Sequence, residues 1–117
     1  MESTALTAIR NSDLVLIPCR SAIFDLQTVK DTFNLTKIAD KTAFVILNAV
    51  PATGALADEA ETAILEQGIE VSPWRLTQRI AFVYAATAGL GVQEYEPNGK
   101  AALEVKNLYR WVLKQAK

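Results

Sequence analysis

The chain has 117 residues with a formal net charge of −1, and 50% of its residues are hydrophobic. This length suits one domain with a core of its own, so we expect a single domain over residues 1–117. The charge balance excludes a uniformly basic nucleic-acid binder. With one cysteine and no histidine, the chain cannot form an internal disulfide and has no cluster of zinc ligands, so we expect no metal site.

Membrane and secretion signals are also missing from the sequence. No apolar stretch approaches the length of a membrane span, and the N-terminus does not follow a signal-peptide pattern. We therefore expect no contact with a membrane and a cytoplasmic location.

The first third of the chain predicts a helix, a strand and a second helix. Apolar positions at helical spacing predict a helix over residues 2–10. The apolar run 14–17 predicts a strand that ends at Pro18, because proline has no N–H for a sheet hydrogen bond. Ser21 precedes a helix-spaced apolar stripe over residues 26–38, and we expect its side chain to cap this helix.

The middle of the chain predicts two more strands around a third helix. The apolar run 43–47 predicts a strand that Asn48 closes. Neither this run nor the run 14–17 alternates polar with apolar residues, so both strands should be buried on both faces, as in a parallel sheet covered by helices. A helix is expected over residues 56–67, and residues 69–71 predict a short third strand.

The last third is predicted to be mainly helical. Residues 80–87 predict a short helix that Gly89 and Gly91 stop, residues 92–95 predict an extended connector, and a strong apolar stripe after residue 99 predicts the last helix. The order αβαβαβαα predicts an α/β fold with a small parallel sheet of about three strands and helices on both faces. The edges of such a small sheet expose unpaired backbone groups, which suggests either an incomplete fold or a partner that covers one edge.

Charge is unevenly distributed along the chain. Residues 58–70 include five acidic and no basic side chains, whereas residues 100–117 include five basic side chains and one acidic. Two interpretations remain open at this point: both stretches are solvated helix faces, or the second is a basic face that contacts an anion.

The sequence also contains strings that carry a family resemblance, in order along essentially the whole chain. They are SDLVLIPCR (12–20), FVILNAVP (44–51), LADEA (56–60), RLTQRIAF (75–82) and GLGVQEYEP (89–97). Together they resemble the C-terminal half of ParA-type partition ATPases, which belong with MinD to the deviant-Walker P-loop ATPases. The resemblance implies a partial P-loop NTPase-like fold.

The catalytic half of that family has no counterpart in the sequence. The family holds ATP and Mg²⁺ with a lysine-rich phosphate loop and an acidic motif, and both precede the matching half. No catalytic residue can therefore be carried over. The resemblance implies that this chain alone binds no cofactor and does not hydrolyse ATP.

The resemblance assigns one group of residues to a nucleotide base. Asn48 resembles the family's base-contacting asparagine, whose amide can both donate to and accept from a purine edge. Pro73, Trp74 and Arg75 resemble the loop beside the base, where Trp74 could stack. The alternatives are that Asn48 only closes a strand and that Trp74 only packs.

A second group is assigned to DNA. Arg79 lies near the position where family members carry a basic residue for nonspecific DNA contact, which would bind phosphates without reading sequence. The alternative is an ion pair between Arg79 and Glu94 or Glu96. The residues that would extend a basic face are Lys106, Arg110, Lys114 and Lys117.

Three functions follow. The resemblance implies the C-terminal portion of a ParA-like DNA-segregation protein, with weak nonspecific DNA binding, self-association or a ParA-like partner, and a ParB-like protein as a further partner. The second hypothesis is a free-standing, non-catalytic interaction module that binds or modulates a full-length ParA-like protein through an exposed sheet edge. The third is a small nucleotide-binding regulator that needs no phosphate loop.

Overall fold

A computed structural model describes residues 3–22 and 25–117 of the chain. Its elements, in chain order, are α1 (Thr4–Arg10), β1 (Val15–Arg20), α2 (Leu26–Ile38), β2 (Ala43–Asn48), α3 (Leu56–Glu66), α4 (Ile80–Thr87), α5 (Val92–Tyr95) and α6 (Lys100–Gln115). The predicted start of the first helix at residue 2 lies outside the described residues.

β1 and β2 form a parallel sheet in which Val15 lies opposite Ala43. The predicted mixed α/β class with a parallel sheet is therefore confirmed. The prediction of a third strand at residues 69–71 is wrong. There, Val71 pairs with Val45 only as an isolated bridge. The chain leaves the sheet after Ser72 and hydrogen-bonds to β2 again only at Leu76.

β2 is covered by helices on both faces, as the sequence predicted. Val45 and Leu47 are fully buried, and they share a core with Val29 of α2 and Ile64 of α3. On the opposite face, Phe44 meets Trp111 of α6 edge-to-face, with ring centroids 4.7 Å apart. This double coverage explains why the run 43–47 is apolar at every position.

β1 differs from its prediction in two ways. It continues through Pro18 to Arg20. Val15 donates its N–H to the Thr42 carbonyl at 3.0 Å, and because backbone groups alternate along a strand, Pro18 faces away from β2 and its missing N–H breaks no hydrogen bond there. Burial along β1 also alternates, and Leu16 is 38% exposed, because the described helices cover only one face of this strand.

The predicted cap of α2 is also corrected. Asp25, not Ser21, is the N-cap residue: its Oδ1 accepts the N–H groups of Gln27 and Thr28 at 3.1 and 3.3 Å. The hydrogen bonds from Thr28 hold the pKa of Asp25 below its ordinary value. Ser21 lies too far before the first turn to cap it, and no described residue hydrogen-bonds its buried Oγ.

Residues 92–95 form the short helix α5 and not the predicted extended connector. The side chain of Glu94 accepts the backbone N–H of Gly91 at 3.0 Å, which stabilises the first turn. Val92 is buried with Ala85 of α4 and Ala101 of α6. A local carboxylate contact and a small apolar cluster therefore outweigh the chain-breaking effect of the flanking glycines.

We expect the two strands to respond differently to loss of a leucine side chain. Leu47→Ala should lower the free energy of unfolding by about 3 kcal/mol, because it leaves a cavity at a fully buried position. Leu16→Ala should cost only about 1 kcal/mol, because more than a third of this residue is already exposed to water. Urea titrations of both variants measure the difference, and equal losses would contradict the one-sided burial of β1.

Candidate functional site

A short loop stands out from the sheet beside the carboxyl end of β2. Ser72 donates its N–H to the Val45 carbonyl at 2.8 Å, and Leu76 donates to the Leu47 carbonyl at 3.0 Å. The two carbonyl groups on β2 are therefore two residues apart, whereas the two N–H groups that bond to them are four residues apart. Residues 73–75 must therefore project out of the sheet at this point.

Ser72 fixes the shape of this loop. Its side chain is fully buried, and its Oγ accepts the N–H of Trp74 and donates to the carbonyl of Trp74, each at 3.0 Å. The indole of Trp74, by contrast, lies at the surface, and the residue is 42% exposed. The loop is thus held by a buried hydroxyl while an aromatic face remains open to a ligand.

Asn48 occupies the last position of β2, directly beside this loop. It is half-buried, and no described residue hydrogen-bonds its side-chain amide. The next residue, Ala49, has a left-handed φ of 52°, which costs about 1 kcal/mol for a residue with a Cβ. This turn lets Val50 still pair with Leu76, at 3.0 Å. The strand thus ends sharply and leaves the amide of Asn48 free.

Arg75 connects the loop to α3. Its Nη2 atom lies 2.9 Å from Oδ1 of Asp58 and 3.0 Å from Oε2 of Glu61. The first carboxylate is well exposed and the second is half-buried, so the interaction with Glu61 is the less screened of the two. The guanidinium charge of Arg75 is therefore already compensated within the chain.

Arg79 is held in the same way by α6. Its Nε lies 3.0 Å from Oε1 of Glu104, and Thr77 donates its hydroxyl to Oε2 of the same carboxylate at 2.6 Å. The sequence alternative named Glu94 or Glu96 as the partner, but the structure places neither there. Burial raises the pKa of Glu104, yet the hydrogen bonds from Arg79 and Thr77 together outweigh it and hold that pKa below the ordinary 4.5.

The outer face of α6 presents cations without partners. Lys106, Arg110 and Lys114 follow one another at four-residue spacing, so they lie on one side of the helix, and all are exposed. No carboxylate among the described residues forms an ion pair with them. Lys106 and Arg110 also line an open groove of about 880 Å³ together with Tyr109.

Backbone hydrogen bonds of Leu47 and Val50 with Leu76 place the end of β2, and with it Asn48, next to the end of the loop 73–75. Arg79, by contrast, is paired with Glu104 of α6 and does not join the exposed cations of that helix. Sequence reasoning missed two residues that organise this region, Ser72 and Glu104. For Glu104 a signal existed, since it is the single acidic residue of the basic stretch 100–117. Ser72 carried no signal, because its role depends on the path of the loop that follows it.

Metal and membrane features are absent from the part of the chain that the structure describes. Residues 3–22 and 25–117 contain no group of three or more His, Cys, Asp or Glu side chains that could hold a metal ion. None of the described helices is both long and apolar enough to cross a bilayer.

No protein-family model matches the chain, and no curated protein is significantly similar to it.

The contact between Glu104 and Arg79 predicts a pH-dependent contribution to stability. Because folding lowers the pKa of Glu104, its stabilising effect is complete above about pH 4.5 and is lost as the pH falls through the folded-state pKa. Glu104→Gln should therefore lower the free energy of unfolding by about 2 kcal/mol at neutral pH, and this difference should shrink at acidic pH.

Urea titrations at neutral and at acidic pH measure this effect. Glu66→Gln is the matched control, because Glu66 is exposed and has no ion-pair partner among the described residues. A loss for Glu104→Gln that is the same at both pH values would contradict the proposed stabilisation by the ionised carboxylate.

Proposed function

We propose that this chain is the C-terminal portion of a ParA-like DNA-segregation protein with a partial P-loop NTPase-like fold, and that it supplies a nonspecific DNA contact and one side of a base pocket. The observation that carries the proposal is the unpaired cationic face of α6. It is supported by the ordered sequence strings that resemble this family along the whole chain.

The DNA contact is assigned to α6 because its cations are free. Lys106 and Lys114 lie about 12 Å apart along the helix axis, with Arg110 between them. Although the net charge of the chain is −1, the potential close to this face is set by nearby charges, since distant ones are screened. Arg79 is a weaker candidate than its sequence position suggested, because DNA would have to compete with Glu104 for it.

The base contact is assigned to Asn48 and Trp74. The amide of Asn48 is free to pair with the edge of a purine, and the exposed indole of Trp74 can stack on its face. Both lie where a strand of a parallel sheet ends, which is the usual position for ligands in α/β proteins. The chain carries no phosphate-binding loop, so the base supplies the binding energy.

A second candidate function rests on β1. Among residues 3–22 and 25–117, no strand pairs with the outer edge of β1, and β1 carries the exposed Leu16 and Arg20 on its open face. Pro18 removes one N–H donor from this edge, but the backbone groups of Leu16 and Arg20 on either side of it can still pair with a strand from another protein. This arrangement suits a non-catalytic module that modulates a full-length ParA-like partner. That function requires no DNA binding by the chain alone, so a measurement of DNA affinity separates the two candidate functions.

We expect Lys106→Gln with Arg110→Gln to weaken binding to a short DNA duplex at least tenfold, or about 1.4 kcal/mol, at low salt. The slope of log K against log salt should fall by about 2, because each neutralised phosphate contributes about 0.9. Fluorescence anisotropy at several NaCl concentrations measures both quantities. The control is Lys30→Gln with Lys41→Gln, which removes the same charge elsewhere.

Two results would contradict the assignment to α6. One is the absence of DNA binding by the wild-type chain at low salt. The other is an equal loss of affinity in both double variants, which would show that only net charge matters.

We also expect adenosine, ADP and ATP to bind with affinities within about threefold of each other and weaker than about 10 μM, because phosphate contacts are missing. Binding should shift the NMR signal of the Trp74 indole N–H and leave that of Trp111 unchanged, since Trp111 packs on Phe44. Asn48→Ala should weaken binding about tenfold, whereas Asn34→Ala on α2 should leave it unchanged.

A much tighter complex with ATP than with adenosine would contradict this assignment, because it would require a phosphate site in the chain. Equal binding of adenosine and a pyrimidine nucleoside would contradict the role of Asn48.

A further inference from the structure

The outer face of α6 carries large apolar side chains where a solvated helix face normally carries polar ones. Leu103, Tyr109 and Leu113 are 57%, 59% and 45% exposed. Their spacing places them on the same side of the helix as Lys106 and Arg110. A single exposed leucine is ordinary, but this face combines an aromatic ring, two leucines and unpaired cations.

These five side chains line one open groove of about 880 Å³, which is within the size range of ligand sites in proteins. We refer to it as the α6 groove. Lys100 adds a third cation to its lining, and none of the described residues that line it is acidic. Glu96 approaches Gly99 at one end of the groove but lines a different groove. The α6 groove therefore favours an anionic ligand, held chiefly at Lys106 and Arg110.

The cations of the groove are spread too widely for a single phosphate group. Lys100 and Arg110 lie about 15 Å apart along the helix axis, with Lys106 between them. None of the three forms an ion pair with a carboxylate of residues 3–22 and 25–117. A ligand that contacts all three must therefore carry several negative charges along its length, as a nucleic-acid strand does.

Tyr109 indicates that the bases of this strand are unpaired. It follows Lys106 by three residues, so the two side chains are neighbours on the helix surface, and both line the groove with Arg110. Phosphate contacts need only cations, and the base faces of a duplex are covered by their neighbours, so a duplex gives the ring nothing to stack on. A single strand offers each base as a flat aromatic face. The amides of Gln93 and Asn98, which also line the groove, can bond to the free edges of such bases.

We propose that the α6 groove binds single-stranded nucleic acid, with a base stacked on Tyr109 and neighbouring phosphates paired with Lys106 and Arg110. Leu103 and Leu113 extend the apolar surface on both sides of Tyr109 along the helix. This inference rests on the nucleic-acid contact proposed above for α6 and names the form of nucleic acid that the site prefers. An acidic peptide would use the cations but not the ring, and a flat bilayer surface would not fill a concave groove.

Fluorescence anisotropy with a labelled oligo-dT strand tests this proposal, and an abasic strand with the same number of phosphates is the reference. The wild-type chain should bind oligo-dT at least about tenfold more tightly than the abasic strand at low salt, because only oligo-dT can stack on the ring. Thymine, which is not a purine, keeps the edge contact proposed for Asn48 out of the measurement.

Tyr109→Leu removes the aromatic ring and keeps an apolar side chain. It should weaken binding of oligo-dT about tenfold and change the affinity for a duplex less than about twofold, because a duplex contacts only the cations. The salt dependence should stay the same, because no charge is removed. The matched control is Tyr84→Leu on α4, where Tyr84 is 53% exposed and lies outside the groove. Its affinity should change less than about twofold, and circular dichroism checks that both variants are folded.

Several results would overturn the proposal. They are equal binding of oligo-dT and the abasic strand, a preference for oligo-dT that persists in Tyr109→Leu, and an equal loss of affinity in Tyr84→Leu. Competition by poly-glutamate, or by vesicles of phosphatidylcholine and phosphatidylserine, that is as effective as competition by unlabelled oligo-dT would also overturn it.

These results are distinguishable from failure of the DNA contact itself. Duplex binding that is lost in Lys106→Gln/Arg110→Gln, together with any of the results above, would leave the DNA contact in place and reject only the preference for a single strand. Absence of binding to duplex and single strand alike at low salt would reject both.

Discussion

β2 is hydrogen-bonded along both edges and enclosed on both faces, and the position of every other functional element depends on it. One edge pairs with β1, and the other pairs at intervals with the segment that includes Ser72 and Leu76. Because Val45 and Leu47 are fully buried, the strand can neither slip in register nor rotate without exposing its core residues. Its carboxyl end therefore fixes where Asn48 and the loop 73–75 lie.

Electrostatic pairing separates Arg75 and Arg79 from the cations on the outer face of α6. Arg75 and Arg79 are half-buried, and a half-buried guanidinium without a partner would lose hydration without compensation. Each is accordingly held by carboxylates, from α3 and α6 respectively, and thereby fastens a loop to a helix. The cations on the outer face of α6 are exposed and do not need such partners, so they remain available to an external anion.

Sequence patterns predicted correctly the elements whose residues are buried to a similar extent along their whole length. The run 43–47 is apolar throughout because both faces of β2 are covered, and the class of fold followed from it. The run 14–17 has the same composition but only one covered face, and no local pattern distinguishes the two. The prediction of a third strand was wrong because residues 73–75 leave the sheet as a loop. That loop is held by hydrogen bonds to Ser72 that form only in the folded chain. Likewise, the partner of Arg79 comes from a distant helix, and local spacing pointed to Glu94 or Glu96 instead.

The ion pair between Arg79 and Glu104 connects the start of α4 to the helix that carries the exposed cations. Arg79 is the residue that precedes the first turn of α4, and Glu104 lies in the second turn of α6, so the pair holds the two helices in a fixed relation. Ala85, Val92 and Ala101 pack between them and oppose sliding. The exposed cations of α6 therefore keep a fixed position relative to α4, and any anion that binds them does so without competing for the paired guanidinium of Arg79.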